Sequence, residues 1–255
     1  MRASYRAPGP YNGAVKVSVL VPAYNEADGL AASLASIRAA MTAFAARGWA
    51  TELIVCDNNS SDQTAAIAVA AGARVVFQPV NQIGRARNTA AAAATGDWLV
   101  FVDADSHPSP GLFADAAAAI ASGRWLAGGS TVRMEHGTWL GAVMVAGWNA
   151  ISRVTRWAAG AFVFVDAAAF REIGGFSQHL FATEEIDLCR RLKRVGRRSG
   201  RRLVILRRHP LRTSARKMHL YTPAEIARLL LRTALTGGRN LRSARECFVW
   251  YDGRR

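Results

Sequence analysis

Two rhythms of apolar residues alternate along the first hundred positions. Short runs in which apolar residues do not alternate with polar ones, Val17–Val21, Glu52–Cys56, Arg74–Phe77 and Trp98–Val102, read as strands covered on both faces. Between them lie stretches of helical period. Leu30, Leu34, Ile37, Met41 and Phe44 mark one buried face of a helix expected to be capped by Asp28 and to end at Gly48. A second, alanine-rich helix is expected from Asp62 to Gly72, and a third over Ile83–Ala94. Strand and helix alternating with short loops predict a parallel sheet with right-handed crossovers.

The pattern is less regular afterwards. A helix is expected from Pro110 to Ser122, then a strand over Trp125–Val132 interrupted by Gly128-Gly129, and a Trp-rich helix over Thr138–Trp157. A strand at Ala161–Val165, a short helix at Ala167–Ile173 and a helix over Thr183–Val195 follow; the last has acids in its first turn and bases at its end. Leu203–Leu206 reads as a strand between arginine clusters, and an amphipathic helix starts at Thr222-Pro223 and runs to Leu235. The expected organisation is a disordered arm at 1–14, one α/β domain at 15–220 with a mostly parallel central sheet flanked by helices, and a basic helical extension at 221–255.

Composition narrows the classes. A chain of 255 residues, 51% hydrophobic, can bury a large core. Cys56, Cys189 and Cys247 have neither disulfide-framework nor zinc spacing. The first residues contain no apolar signal-peptide core, and no run is long and apolar enough to span a bilayer. The expected location is cytoplasmic, with a peripheral contact on the inner face of a membrane left open. The net charge is +15, and residues 171–255 hold 21 basic and 7 acidic residues, a net of +14. That asymmetry fits an anionic partner, although only three of the 33 basic residues are lysine, so a coding bias toward arginine accounts for it as well. The aromatics are not interleaved with this charge as a stacking platform for nucleic acid would require, so nucleic acid is not the expected partner.

The candidate chemistry falls at strand ends. Glu26 follows the first strand, Asp57 the second, and Asp103 and Asp105 the fourth, so a parallel sheet gathers them at one edge. Paired hard carboxylates suit Mg²⁺ or Mn²⁺, which can in turn hold a diphosphate. Asp57 and its Asn-Asn-Ser-Ser turn suit a base or ribose, and Arg85 and Arg87 at a helix start suit phosphate. There is neither a GxGxxG after the first strand nor a GxxxxGK[ST] loop. Trp139, Trp148 and Trp157 suit a sugar pocket, a membrane-interface helix or ordinary core.

The ordered set SVLVPAYNEADGL, LIVCDNNSSDQT, NQIGRARNTAAAAATGDWLVFVDADS, GAFVFVDAAAFREIGGFS and FATEEIDLCRRLKRVG resembles the family 2 glycosyltransferases, over about residues 15 to 197. The resemblance implies the GT-A (Rossmann-like) fold and a metal-dependent, inverting transfer from a nucleotide-diphospho-sugar. It implies that Pro22, Tyr24, Glu26 and Asp57 hold the nucleoside and that Arg87 lies near the donor. Asp105 would bind Mg²⁺ or Mn²⁺, with Asp103 shared between metal and ribose or phosphate. The family's Glu-Asp pair after Gly-Gly-Phe is Glu184-Glu185 here, which makes Glu185 the implied base; Asp187 reads as a helix-terminal acid. By the same resemblance His219, or else His209, is a further metal ligand, and Arg216 or Lys217 meets the leaving diphosphate. The acceptor stays open among a polyprenyl phosphate, a saccharide and a small metabolite. The rival readings are a nucleotidyltransferase, for which the first loop lacks the phosphate-binding pattern, a basic nucleic-acid-binding protein, and an inactive scaffold on the same fold.

Overall fold

The computed structural model of the chain describes residues 15–135, 139–214 and 222–251; the arm expected at 1–14 lies outside them. The first half runs β1 (Lys16–Ala23), α1 (Ala27–Ala45), β2 (Ala50–Asp57), α2 (Thr64–Ala70), β3 (Arg74–Phe77), α3 (Ile83–Ala93) and β4 (Trp98–Val102). Then come β5 (Ser106–His107), α4 (Pro110–Ala121), β6 (Trp125–Glu135), α5 (Trp139–Thr155), β7 (Phe162–Asp166), α6 (Ala167–Glu172), α7 (Glu184–Ser199) and β8 (Arg202–Ser214). The C-terminal segment holds α8 (Pro223–Leu235), a 3₁₀ turn at Arg239–Arg242 and α9 (Phe248–Tyr251).

The strands form one sheet in the order β3-β2-β1-β4-β7-β6-β8-β5. From β3 to β4 every pairing is parallel, as the alternation predicted. Beyond β4 the sheet is mixed: β7 lies antiparallel to both β4 and β6, β8 parallel to β6, and β5 antiparallel to β8. β2 and β4 flank β1 on opposite sides: the chain winds from β1 through β2 to β3 and then crosses back through α3 to β4, so a crevice opens at the carboxyl ends of β1 and β4.

Side-chain alternation along the central strands builds two cores. Val17, Val19 and Val21 of β1 and Trp98, Val100 and Val102 of β4 point to one face, where Leu30, Leu34, Ile37 and Phe44 of α1 and Phe113 of α4 cover them. Leu20, Leu99 and Phe101 point to the other, under Ala86 and Ala90 of α3, Phe170 of α6 and Leu188 and Leu192 of α7. The five β4 residues are all fully buried.

Several boundaries differ from the sequence expectation, each for a visible reason. Glu26, not Asp28, sits at the N-cap of α1, and its side chain makes no capping bond. α2 begins at Thr64 rather than Asp62, because the Asp62 carboxylate accepts from the Thr64 N–H at 2.9 Å and from the Ala27 N–H at 3.1 Å. Gly128-Gly129 does not interrupt β6: a Cβ on Gly128 would stand 2.5 Å from the Phe164 ring, so the glycine admits that ring against the strand. β8 extends far beyond Leu206, because Arg207–Pro210 bulge out between the Ser130↔Leu206 and Val132↔Leu211 pairings and the ladder then resumes.

At the end of the sheet away from the crevice, buried Arg201 donates from Nη1 to Asp166 Oδ2 at 3.0 Å, from Nη2 to the Trp125 carbonyl at 2.6 Å, and lies over the Trp98 ring. Removing one partner of a buried ion pair leaves an uncompensated charge. Asp166→Ala is therefore expected to destabilise the fold by about 3–5 kcal/mol in urea unfolding, and a loss below about 1 kcal/mol would show the pair to be solvated.

Candidate active site

The loop after β1 is held by the loop after β2. Asn25 adopts φ 50°, and its Oδ1 accepts from the Ser61 N–H at 2.8 Å while its own N–H donates to Ser60 Oγ at 3.0 Å. The Glu26 N–H donates to Thr64 Oγ1 at 2.8 Å. This bracing presents Pro22, Ala23, Tyr24 and Glu26 to a cleft of about 550 Å³ whose far wall is Asp103, Ala104 and Asp105.

Asp57 and Asn58 divide the work at the end of β2. Asp57 accepts the Ser60 N–H at 3.1 Å, and it is its neighbour that lines the cleft. Asn58, 3% exposed, donates to the carbonyls of Gln78 and Val80 and accepts from the Gln82 N–H, which fixes the loop carrying Asn81 and Ile83 into the same cleft. Arg85 turns back to Gln82 Oε1 at 2.9 Å.

Arg87 is not a surface cation facing phosphate. It is 1% exposed. Nη1 donates to Glu184 Oε1 at 2.7 Å, and Nη2 donates to Asp103 Oδ1 at 2.8 Å and to the Gly160 carbonyl at 3.0 Å. Its plane lies over the Phe176 ring, 5.1 Å from the centroid, and its Nε makes no hydrogen bond among the described residues. Burial opposes the charge, but Asp103 and Glu184 outweigh it and keep the guanidinium protonated. A Cβ on Gly160 would stand 3.1 Å from Nη2 and 3.5 Å from the Glu185 carboxyl, so only a glycine lets this cluster close without displacement.

Glu184 and Glu185 open α7 directly after Thr183, which is held at φ 62°. A β-branched residue in the left-handed region is strained, and here the strain sets the direction in which the two carboxyls leave the helix. One guanidinium faces Asp103, Glu184 and Glu185, and it donates to the first two only. Burial and then the neighbouring Glu184 charge push Glu185 up to about 8, against the pull of Arg87. Burial raises Glu184 as well, again against Arg87. Asp187, by contrast, pairs with Arg191 at 2.7 Å along the helix.

Glu185 belongs to a second cavity, of about 1050 Å³, walled by Val132, Met134, Met144, Val145, Trp148, Phe181 and Thr183. The two cavities share Asp103 and Ile83. The three tryptophans of the Trp-rich stretch part company: Trp148 lines this cavity, Trp139 is 79% exposed, and Trp157 lies under Arg190 and Lys193.

The C-terminal segment returns to the site, which the sequence did not suggest. Tyr251 lines the first cleft, its hydroxyl accepts from the Ile83 N–H at 3.3 Å, and its ring meets Phe181 edge-on at 5.3 Å. The Phe181 N–H in turn donates to the Leu241 carbonyl at 2.7 Å. Asn58, Asn81, Ile83, Thr183 and Tyr251 are thus site residues that the sequence reading did not single out as such. Only Asn58, inside the polar turn, carried a signal.

Among the described residues no group of three or more His, Cys, Asp or Glu side chains is clustered to hold a metal. Asp103 and Asp105 lie together in the cleft wall. His219 lies outside the described residues, as do Arg216 and Lys217. His209 pairs with Asp115 of α4 at 2.9 Å and lines neither cavity.

Residues 18–170 match the Glycosyl transferase family 2 model. An uncharacterized glycosyltransferase of Mycobacterium tuberculosis is 37% identical over 95 residues, 37% of this chain and 39% of that protein. Among solved structures, the mannosyltransferase PcManGT from Pyrobaculum calidifontis, in complex with GDP-Man and Mn2+, superimposes with a TM-score of 0.61 at 20% identity, over 88% of this chain and 62% of that one. Glucosyl-3-phosphoglycerate synthase from Mycobacterium tuberculosis, in complex with Mn2+, uridine-diphosphate and phosphoglyceric acid, superimposes with a TM-score of 0.56 at 20% identity, over 87% and 76%. These likenesses agree with the GT-A arrangement of the sheet and its flanking helices. With more than half of its length matched by the family model, the chain belongs to glycosyl transferase family 2.

Proposed function

We propose that this chain moves a glycosyl group from a nucleoside-diphospho-sugar to an acceptor hydroxyl or phosphate, in one displacement that inverts the anomeric carbon and uses Mg²⁺ or Mn²⁺. The observation that carries the reading is the meeting of two cavities at Asp103. One is lined by strand-end residues suited to a nucleotide, and the other holds a carboxyl suited to a base. Family membership supports it, as do structural neighbours that hold GDP-Man and Mn2+, or Mn2+, uridine-diphosphate and phosphoglyceric acid.

In this reading Pro22, Tyr24, Glu26 and Asn58 receive the nucleoside, with Asp57 fixing their loop. Asp105 and the oxygen of Asp103 not bound to Arg87 fit a divalent cation: they are hard donors, and so small a protein set suits an ion that keeps waters and takes diphosphate oxygens. When bound, such an ion neutralises the departing diphosphate. Glu185 takes the acceptor proton as the acceptor oxygen attacks the anomeric carbon, and the bond from that carbon to the diphosphate oxygen breaks with its electrons on the leaving group. A base held near pH 8 is matched to proton transfer near neutrality. Arg87 positions Asp103 and Glu184 rather than touching the substrate.

UDP and GDP, each with Mn²⁺, are expected to raise the melting temperature in a thermal-shift screen, since ligand binding to the folded state stabilises it. EDTA and Asp105→Ala should each remove the shift and lower donor turnover about 100-fold or more. A shift and a rate unchanged in both would refute the metal assignment.

Glu185→Gln is expected to lower turnover by about 10²–10⁴-fold, with Glu185→Asp retaining part of the rate. The wild-type rate should rise with pH and level off above about 8, because the base must be ionised. The effect on stability has the opposite sign. A carboxyl raised from 4.5 to about 8 favours its neutral form in the fold, so its stabilising contribution is present at low pH and is lost as pH climbs through that window. Glu185→Gln should therefore melt above wild type at pH 9 and close to it at pH 5; equal melting at pH 9 would contradict the shift.

A further inference from the structure

The helix that walls the second cavity has another side. Met144, Val145 and Trp148 of α5 line that cavity, Met144 while 43% exposed, and Asn149 fastens the helix to β6 through paired bonds with the Val132 N–H and carbonyl, each at 2.9 Å. Outward stand Trp139, Val143, Ile151 and Val154, exposed by 79%, 58%, 49% and 85%. Their spacing keeps them on one stripe of the helix, and a contiguous exposed apolar strip of this kind marks an interaction surface.

The strip ends in a cationic groove. Val154 shares that groove, of about 850 Å³, with Arg156, Lys193, Arg197 and Arg202. The charges crowd: burial first, and then Arg156, Arg190 and Arg197, push the Lys193 ammonium down. No ion pair joins a carboxylate to these groove cations among the described residues. An apolar helical stripe continuous with uncompensated cations is complementary to an interface that is apolar within and anionic at its rim. No helix among the described residues is long and apolar enough to cross a membrane.

We propose that the outer face of α5 and the groove at Arg156 and Arg197 form a docking surface for an anionic phospholipid bilayer. Trp139, Val143 and Val154 enter the headgroup–acyl boundary while the groove cations meet lipid phosphates. The proposal deepens the glycosyl-transfer reading, because the helix that lies on the bilayer is also the wall of the Glu185 cavity, which would then receive an acceptor presented at the lipid surface.

The test is flotation of the full chain with vesicles of phosphatidylcholine alone and of phosphatidylcholine with phosphatidylglycerol, with melting temperature checked for every variant. Binding is expected on the anionic vesicles only, weakening as salt rises. Trp139→Ser/Val154→Ser and Arg156→Glu/Arg197→Glu should each weaken it roughly tenfold or more. Arg38→Glu/Arg47→Glu serves as the charge-matched control, since Arg38 lies on α1 and Arg47 in the turn that ends it, on the opposite face of the sheet; it should leave binding within about twofold. Absence of binding to anionic vesicles would overturn the proposal. So would equal loss in the α1 control, which would mean attraction by net charge alone. A dimer in sedimentation velocity that Trp139→Ser/Val154→Ser dissolves would also overturn it, by assigning the stripe to a second copy of the chain. Vesicle binding is read without turnover, so it stands or falls apart from the glycosyl-transfer reading.

Discussion

One buried guanidinium ties the site together. Arg87 arrives on α3, Asp103 on the end of β4, Gly160 on the approach to β7 and Glu184 on the start of α7, and three charge-assisted or carbonyl hydrogen bonds join them. A planar fork with several donors can hold two carboxylates at fixed separation in a way a lysine cannot. Taking any one carboxylate away leaves a buried cation short of a partner, so the four segments are placed as a unit. Glu185 stands beside this pair without a bond to Arg87, and burial together with the Glu184 charge raises the proposed base to about 8.

The sheet supplies the frame for that cluster. The order β3-β2-β1-β4 opens a crevice beside β1, and the antiparallel β7 laid against β4 carries the chain back so that Gly160 and Asp103 meet. Loops that would otherwise be loose are braced against one another: Asn25 by Ser60 and Ser61, and Gln82 by Asn58. The strain at Thr183 sits where the acids of α7 must turn inward. Rigid scaffolding and strained termini at one edge are what a site needs when it must hold two reactants in register.

The parallel half of the fold was legible because each strand there is a short apolar run and each helix has one apolar stripe. Leu30, Leu34, Ile37 and Phe44 are buried as that stripe requires, while Met41 is only partly so. The second half was less legible because tertiary pairing overrides local pattern. β8 passes a proline by bulging, and Gly128 serves a neighbouring ring rather than a turn. The acids at strand ends were readable, since a parallel sheet gathers them by construction. The role of Arg87 was not, because nothing in a helix sequence tells a phosphate-facing arginine from a buried one. Tyr251 was invisible for a different reason: its place depends on how the C-terminal segment packs on Phe181 and Ile83, far away in sequence.

The central claim is that the Arg87 cluster sets the state of Glu185, and carbon-13 NMR of the chain labelled at glutamate side-chain carboxyls tests it without any substrate. One resonance should titrate near pH 8 and vanish in Glu185→Gln. In Glu184→Gln it should move to lower pH, because a repelling carboxylate is gone and Arg87 is left with less to neutralise. A Glu185 resonance that titrates near 4.5, or one that does not move in Glu184→Gln, would contradict the account.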